Sequence, residues 1–240
     1  MEEIDPVLRV RVSVWIARLT TGGRDRAMAD LDTICDAGMR SEADLLAALV
    51  PATPASIAVA VCRVLACIGD ETAAPSVSRL LGNASCARVR MQAALALGRL
   101  GGPNARAALT DALLLDDDEE VRARAARGLG TLRDHRAVPT LGSTLANTKE
   151  HAIVRSEAAE ALGVIGRRSA TPLLVRALRD PVAEVRAGAA TALGLLGGLE
   201  VVPALRALTD DHAVADELGP VSGCATAAIT DIRRRSLASG

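Results

Sequence analysis

Val121-Arg122-Ala123-Arg124-Ala125-Ala126-Arg127-Gly128-Leu129-Gly130-Thr131-Leu132 decides the fold, because its frame recurs along the chain. Within it Val121, Ala125, Leu129 and Leu132 follow steps of 4, 4 and 3, which is one face of a helix. The same frame reads Val89-Arg90, Ala93, Leu97-Gly98 and Leu100-Gly101 upstream. Downstream it reads Val154-Arg155, Ala158, Leu162-Gly163 and Ile165-Gly166, then Val185-Arg186, Ala189, Leu193-Gly194 and Leu196-Gly197. Weaker copies start at Ile57 and Val221. The starts are separated by 32, 32, 33, 31 and 36 residues, a period that belongs to stacked repeats.

Proline keeps the same beat. Pro75, Pro139, Pro172 and Pro203 each follow two small or β-branched residues, and Ala107 fills the slot between the first two. A proline costs least near a helix start, where its missing N–H has no partner to lose. Each unit therefore reads as two helices. In the clearest one, a helix spans about 104–115, the run Asp116-Asp117-Asp118-Glu119-Glu120 makes the turn, and a second helix spans about 119–132. Acidic residues there cap free N–H groups and oppose the positive helix end. Gly130 and its counterparts Gly98, Gly163 and Gly194 lie inside helices, which points to a neighbouring backbone approaching closely.

The Val-Arg-x-x-Ala-x-x-x-Leu-Gly stretches and the small-x-Pro helix starts resemble the HEAT-like repeats named after phycobilisome lyases, over about residues 54–232. The expected fold is all-α: a right-handed α-solenoid of about seven helical-hairpin repeats with a period of about 32 residues. Residues 1–53 are expected to cap the stack, 54–232 to form the repeats, and 233–240 a tail, all in one continuous domain. At roughly 8–10 Å per layer the body would be on the order of 60 Å long, with a concave groove.

The resemblance implies that the helix beginning Val-Arg lines that groove, with its variable positions facing inward. One row is then Val59, Met91, Ala123, Ser156 and Ala187, and the next Ala60, Gln92, Arg124, Glu157 and Gly188. A third is Arg63, Leu95, Arg127, Glu160 and Thr191, and a fourth Cys67, Arg99, Thr131, Val164 and Leu195. The expected contacts to a partner are Arg63, Met91, Gln92, Leu95, Arg99, Arg124, Arg127, Glu157, Glu160 and Thr191. Small residues at 187, 188 and 191 would leave room for a bulky partner side chain. The arginines of the frame, Arg90, Arg122, Arg155 and Arg186, are read as structural instead, pairing with an acidic turn of an adjacent layer.

The 240 residues carry 28 Lys+Arg and 29 Asp+Glu, for a net charge of -1. That balance argues against binding driven by phosphate neutralisation. There is no Phe or Tyr, and the one Trp is Trp15, so stacking platforms for single strands are missing. Only Lys149 is a lysine; the arginine bias points to a GC-rich bacterial genome. No apolar run approaches a membrane span of roughly 18 residues. The first residues lack the pattern of a secretory signal, and a cytoplasmic location is expected. Cys35, Cys62, Cys67, Cys86 and Cys224 have neither disulfide nor zinc spacing and read as small buried hydrophobes.

Near the start, Ile4, Leu8, Val12, Trp15 and Leu19 form a helical stripe, although Val10, Val12, Val14 and Ile16 also alternate as a strand would. Trp15 reads as the plug of the cap. Arg233-Arg234-Arg235 read as cations favoured at a helix C-terminus.

No catalytic constellation emerges. His135, His151 and His212 fall in different repeats, and the acidic run lacks the spaced ligands of a calcium loop. No phosphate cradle, Gly-x-Ser-x-Gly or His-Glu-x-x-His occurs. No metal and no cofactor are expected. The expectation is a non-enzymatic scaffold that holds a partner protein or peptide in the groove. The resemblance also implies an alternative, bilin attachment or isomerisation on a phycobiliprotein. A weaker alternative is a repair glycosylase built on related repeats.

Overall fold

The computed structural model describes residues 25–26, 28–30, 32–33, 42–47, 53–68, 71–216 and 218–238. The stripe around Trp15 and the cap assigned to it lie outside these residues, as does Cys35. The chain forms two compact units, 1–128 and 129–240.

The helices whose frame opens Val-Arg share one length. They are α2 (Ala55–Ile68), α4 (Ala87–Leu100), α6 (Glu119–Leu132), α8 (Ala152–Ile165) and α10 (Ala183–Leu196), each of 14 residues. Between them run α3 (Ala74–Asn83), α5 (Gly102–Leu115), α7 (Val138–Ala146), α9 (Thr171–Ala177) and α11 (Val202–Arg206). Glu42–Ala47 precedes them as α1, and Val221–Ala238 closes the series as α12. This is the all-α hairpin-repeat architecture of an α-solenoid. Five hairpins and a closing helix lie among the described residues; the first two expected pairs fall almost entirely outside them.

Pro75, Pro139, Pro172 and Pro203 each sit in the first turn of their helix, preceded by a one-turn 3-10 helix. The second helix of this series departs from the beat. α5 starts at Gly102 with Pro103 in its first turn and no 3-10 turn before it. Register is nonetheless kept, because Leu109 falls where Val77, Leu141, Leu174 and Leu205 fall, and all five are fully buried.

In the first unit α2 packs on α4, α3 on α4, and α5 on both α3 and α4. In the second, α8 packs on α10 and α10 on α12, while α7, α9 and α11 lie against α8, α10 and α12. The core of each unit is a column of leucines at one register: Leu65 and Leu97 in the first, Leu129, Leu162 and Leu193 in the second, none with exposed surface. Burying each contributes about 1.5–3 kcal/mol.

The repeated glycines do what their spacing predicts. A Cβ on Gly98 would lie 2.8 Å from the Gly128 Cα, one on Gly130 2.8 Å from the Ala161 Cα, and one on Gly163 2.6 Å from the Ala192 Cα. One helix backbone fills the place of a side chain on the next.

Two differences from expectation have local causes. The 36-residue interval before Val221 holds a two-residue antiparallel ladder, Val214–Ala215 with Gly219–Pro220, which takes up the extra residues. The tail expected over 233–240 is helical as far as Ala238, because α12 continues through its three arginines.

Candidate functional site

Three of the frame arginines, Arg90, Arg155 and Arg186, bind two turns at once. Arg90 Nη1 donates to the carbonyls of Ala84 and Ser85, in the turn before its own helix. Its Nε and Nη2 grip the Asp116 carboxylate at 2.8 Å, one repeat further on, and Nη2 also reaches Asp117. Arg186 repeats this with the carbonyls of Asp180 and Pro181 and with the Asp211 carboxylate at 2.8 Å. Arg155, almost fully buried, holds the Glu150 carbonyl and pairs with Asp180. Arg122 donates to the carbonyls of Asp116 and Asp117. The structural reading of these arginines therefore holds.

Each aspartate also caps its own turn. Asp116, Asp180 and Asp211 accept the N–H two residues ahead, from Asp118, Val182 and Ala213. Burial works to raise the Asp116 pKa, but hydrogen bonds from Arg90 and the Asp118 N–H hold it below the ordinary value. Asp211 is held low chiefly by its hydrogen bond from Arg186.

The candidate contact residues divide by exposure. In the first row Val59, Ala123, Ser156 and Ala187 are buried, and only Met91 is partly open. In the second, Ala60, Glu157 and Gly188 are buried, while Gln92 and Arg124 are partly open. The third and fourth rows face solvent in whole or part: Arg63, Leu95, Arg127, Glu160 and Thr191, then Cys67, Arg99, Thr131, Val164 and Leu195.

The room expected around Ala187 and Gly188 does not exist. A Cβ on Gly188 would lie 2.7 Å from the Ser156 Oγ, which itself donates to the Glu184 carbonyl at 2.9 Å. The neighbouring helix fills the space that was assigned to a partner.

In the first unit Arg63 pairs with the buried Asp30, its Nε lying 2.7 Å from Oδ2. The sequence reading missed Asp30, which sits 33 residues from its partner and outside the clear repeats. Arg99 Nη1 lies 3.6 Å from the Cys67 Sγ. Burial raises the Cys67 pKa and Arg99 opposes it. Arg124 pairs with Glu120 on its own helix at 3.3 Å. In the second unit Cys224 lies against Thr191 and near Glu160, and burial raises its pKa. These thiols are held towards the protonated form, which is unlike an activated nucleophile. Among the described residues no group of three His, Cys, Asp or Glu is placed to hold a metal ion. No described helix is long and apolar enough to cross a membrane.

Comparison with known proteins adds what this geometry does not show. The deoxyhypusine hydroxylase of Danio rerio is 34% identical over 116 residues, 48% of this chain and 38% of that protein. The deoxyhypusine hydroxylase of Homo sapiens is 39% identical over 99 residues, 41% of this chain and 32% of that protein. The chain thus spans about a third of the length of the curated relatives it matches. Among solved structures, the complex of CpcE and CpcF of phycocyanin lyase from Nostoc matches with a TM-score of 0.57 at 24% identity, over 78% of this chain and 74% of that one. That likeness is one of fold.

These relatives correct the functional expectation. A non-catalytic interaction scaffold, and with it the absence of enzymatic activity, is overturned by curated relatives that are hydroxylases. The error has a physical root. The repeat frame records only how layers stack, so it carries no mark of chemistry. The model of the HEAT-repeat family matches residues 42–130, 109–163 and 138–217, most of the chain. With hairpins of this period, joined by glycine contacts and arginine clamps, the chain belongs to the HEAT-repeat family.

Proposed function

We propose that this chain works in the enzymatic modification of a protein, the kind of task its hydroxylase relatives point to, and that it engages the polypeptide substrate along its Val-Arg helices. The similarity of 34–39% to deoxyhypusine hydroxylases carries this reading. On it, Arg63, Leu95, Arg99 and Arg127 contact substrate in the first unit, beside Met91, Gln92 and Arg124. Glu160 and Thr191 do so in the second, and the buried Glu157 acts as a positioning residue. On this reading the repeats are of the phycobilisome-lyase-like type, and the compartment is the cytoplasm.

Hydroxylation inserts oxygen into a substrate and needs a centre that activates an oxidant. The described residues do not fit a redox metal. His135, His151 and His212 lie in separate turns, and no three ligand-type side chains converge. No bond-making step is therefore assigned to a metal centre in this chain.

The test is intact-mass measurement of a deoxyhypusine-bearing protein incubated with the full chain, reductant, air and a panel of divalent transition metals. A gain of one oxygen, lost in a Leu95→Asp, Thr191→Arg variant that keeps its helical circular dichroism, is the expected result. No mass change under any condition overturns the hydroxylase reading.

A further inference from the structure

We propose that one edge of the second unit, where α6, α8, α10 and α12 end, is a docking surface for an acidic polypeptide segment with apolar anchor residues. Arg133 and Arg136 lie in the turn after α6, Arg167 and Arg168 in the turn after α8, and Arg233, Arg234 and Arg235 at the end of α12; all are exposed. The close approaches of Gly130 to Ala161, Gly163 to Ala192 and Gly194 to Ala228 set these helix ends side by side. Arg235 Nη2 donates to the Gly197 carbonyl at 3.1 Å, tying the end of α12 to the turn after α10.

Among the described residues, three carboxylates lie beside these seven arginines. Arg136 lies 3.4 Å from Asp134, and Arg234 lies 2.8 Å from Asp231. Glu200 is held low first by its own backbone N–H and that of Gly198, with a lesser contribution from Arg168. Arg133, Arg167 and Arg233 have no ion pair among the described residues.

Helix dipoles do not account for the surplus. Four C-termini at this edge each contribute about half a negative charge. However, α7, α9 and α11 run the other way and place three N-termini there, about half a positive charge each. The two sets nearly cancel, so Arg133, Arg167 and Arg233 are left for a partner.

Two further observations narrow the partner. Leu195, Leu199 and Leu237 are 53%, 55% and 85% exposed, and all three lie at this edge among the arginines. Arg133 holds φ at 52°, in the register where Gly101 and Gly166 sit after their own helices. An arginine kept where glycine is preferred suggests that its side chain is used.

A polypeptide fits better than a nucleic acid. The chain has no Phe or Tyr on which bases could stack, and leucines do not contribute to phosphate binding. The layer step of roughly 8–10 Å equals about three residues of an extended chain at about 3.3 Å each. A segment with an acid at every third position would meet one layer per acid.

The probe is a fluorescein-labelled peptide of six Asp-Leu-Ser triplets, titrated with the full chain by anisotropy at low ionic strength. Binding is expected to weaken about tenfold in R167E/R168E/R233E and at least about threefold in L199S/L237S. R176E/R179E, on the opposite edge, should change it less than about twofold. Each variant is first checked by circular dichroism, and single substitutions are read if the triple variant unfolds. No binding by the wild-type chain, equal loss in R176E/R179E, or equal binding of a control peptide of six Lys-Leu-Ser triplets overturns the proposal. So does an unchanged L199S/L237S, or tighter arginine-dependent binding of single-stranded DNA, which would make the edge a general polyanion surface. The probe carries no modified residue, so this test stands apart from the hydroxylation assay.

Discussion

Gly163 tests whether glycine is required where adjacent helices meet. Replacing it with alanine should help an isolated helix by about 1 kcal/mol. Here the new Cβ would lie 2.6 Å from the Ala192 Cα, 2.8 Å from its Cβ and 3.2 Å from its carbonyl oxygen. Carbon atoms prefer about 3.5–4.0 Å, so α8 and α10 must part by about 1 Å. The atoms in the way are largely backbone and cannot rotate aside. Overpacking of this kind costs about 1–3 kcal/mol, and both neighbouring helices are buried, which favours the upper half. The net expectation is a loss of about 1–2 kcal/mol once propensity is credited. That lowers Tm by roughly 2–8 °C for a chain of this size. The control is Gly82→Ala in α3, where nothing lies within 4 Å of the new Cβ. It should be neutral or gain up to about 1 kcal/mol. Urea midpoints followed by circular dichroism compare the two. If Gly163→Ala is as stable as Gly82→Ala, the close approach is not what keeps glycine in the frame.

Arg133→Gly should raise stability by about 1 kcal/mol, since it relieves a positive φ of 52°; an unchanged or lower urea midpoint would show that the side chain repays its strain in the folded chain. Asp180→Ala should cost about 3–5 kcal/mol, because it strands the buried Arg155; Asp211→Ala, whose partner Arg186 is more open, should cost less, and denaturant titration of both checks the order. Asp116 and Asp211 have folded pKa values below their unfolded ones, so the stability they add is present above about pH 4 and is lost as pH falls through the folded values. Stability measured from neutral to acid should therefore stay level and then drop, with a shallower drop in Arg186→Gln. Burial pushes the Cys62 thiol up to about 12, so a thiol reagent at mildly alkaline pH should leave it unmodified until urea unfolds the chain, while half-buried Cys67 reacts slowly in the native state.

The repeat was legible because each of its residues does a stacking task. Leu65, Leu97, Leu129, Leu162 and Leu193 are one position read five times, and all are fully buried. The clamp arginines were also legible, since a cation shared by the four clearest copies must serve the stack. Their partners were harder to see. The aspartates sit 25 or 26 residues downstream, at Asp116, Asp180 and Asp211, and that interval is a signal the sequence carries. The candidate contact rows were legible only in part. Of the rows that the resemblance implies, Arg63, Leu95, Arg127, Glu160 and Thr191 are each open to solvent in whole or part. Helical spacing could not reveal that Ser156 folds into the gap above Gly188, because that depends on the offset between two helices. Asp30 was invisible for the same reason, as its link to Arg63 is made by packing and not by period.

A repeat frame is silent about chemistry for a deeper reason. A reaction needs one centre, whereas a position repeated five times specifies none. Function in a repeat protein should therefore be sought where a copy breaks the frame at no gain to the stack. Several copies depart from the frame, and four departures are compared. Asn147 holds the register of the clamp aspartates, and Arg133 the register of a helix-ending glycine. Ser222 replaces the clamp arginine in the last copy, and Thr230 replaces the contact glycine. The last two have a structural explanation. Thr230 and Thr226 donate to the carbonyls of Thr226 and Ser222, so the outer face of α12 satisfies its own hydroxyls. Thr230 carries a side chain where the frame places a bare backbone, so that face lacks both devices by which one layer grips the next. Arg133 has no such explanation, since glycine would serve the turn better. It is the one break that adds a charge at a cost in backbone energy, and it lies on the edge where the arginine surplus gathers.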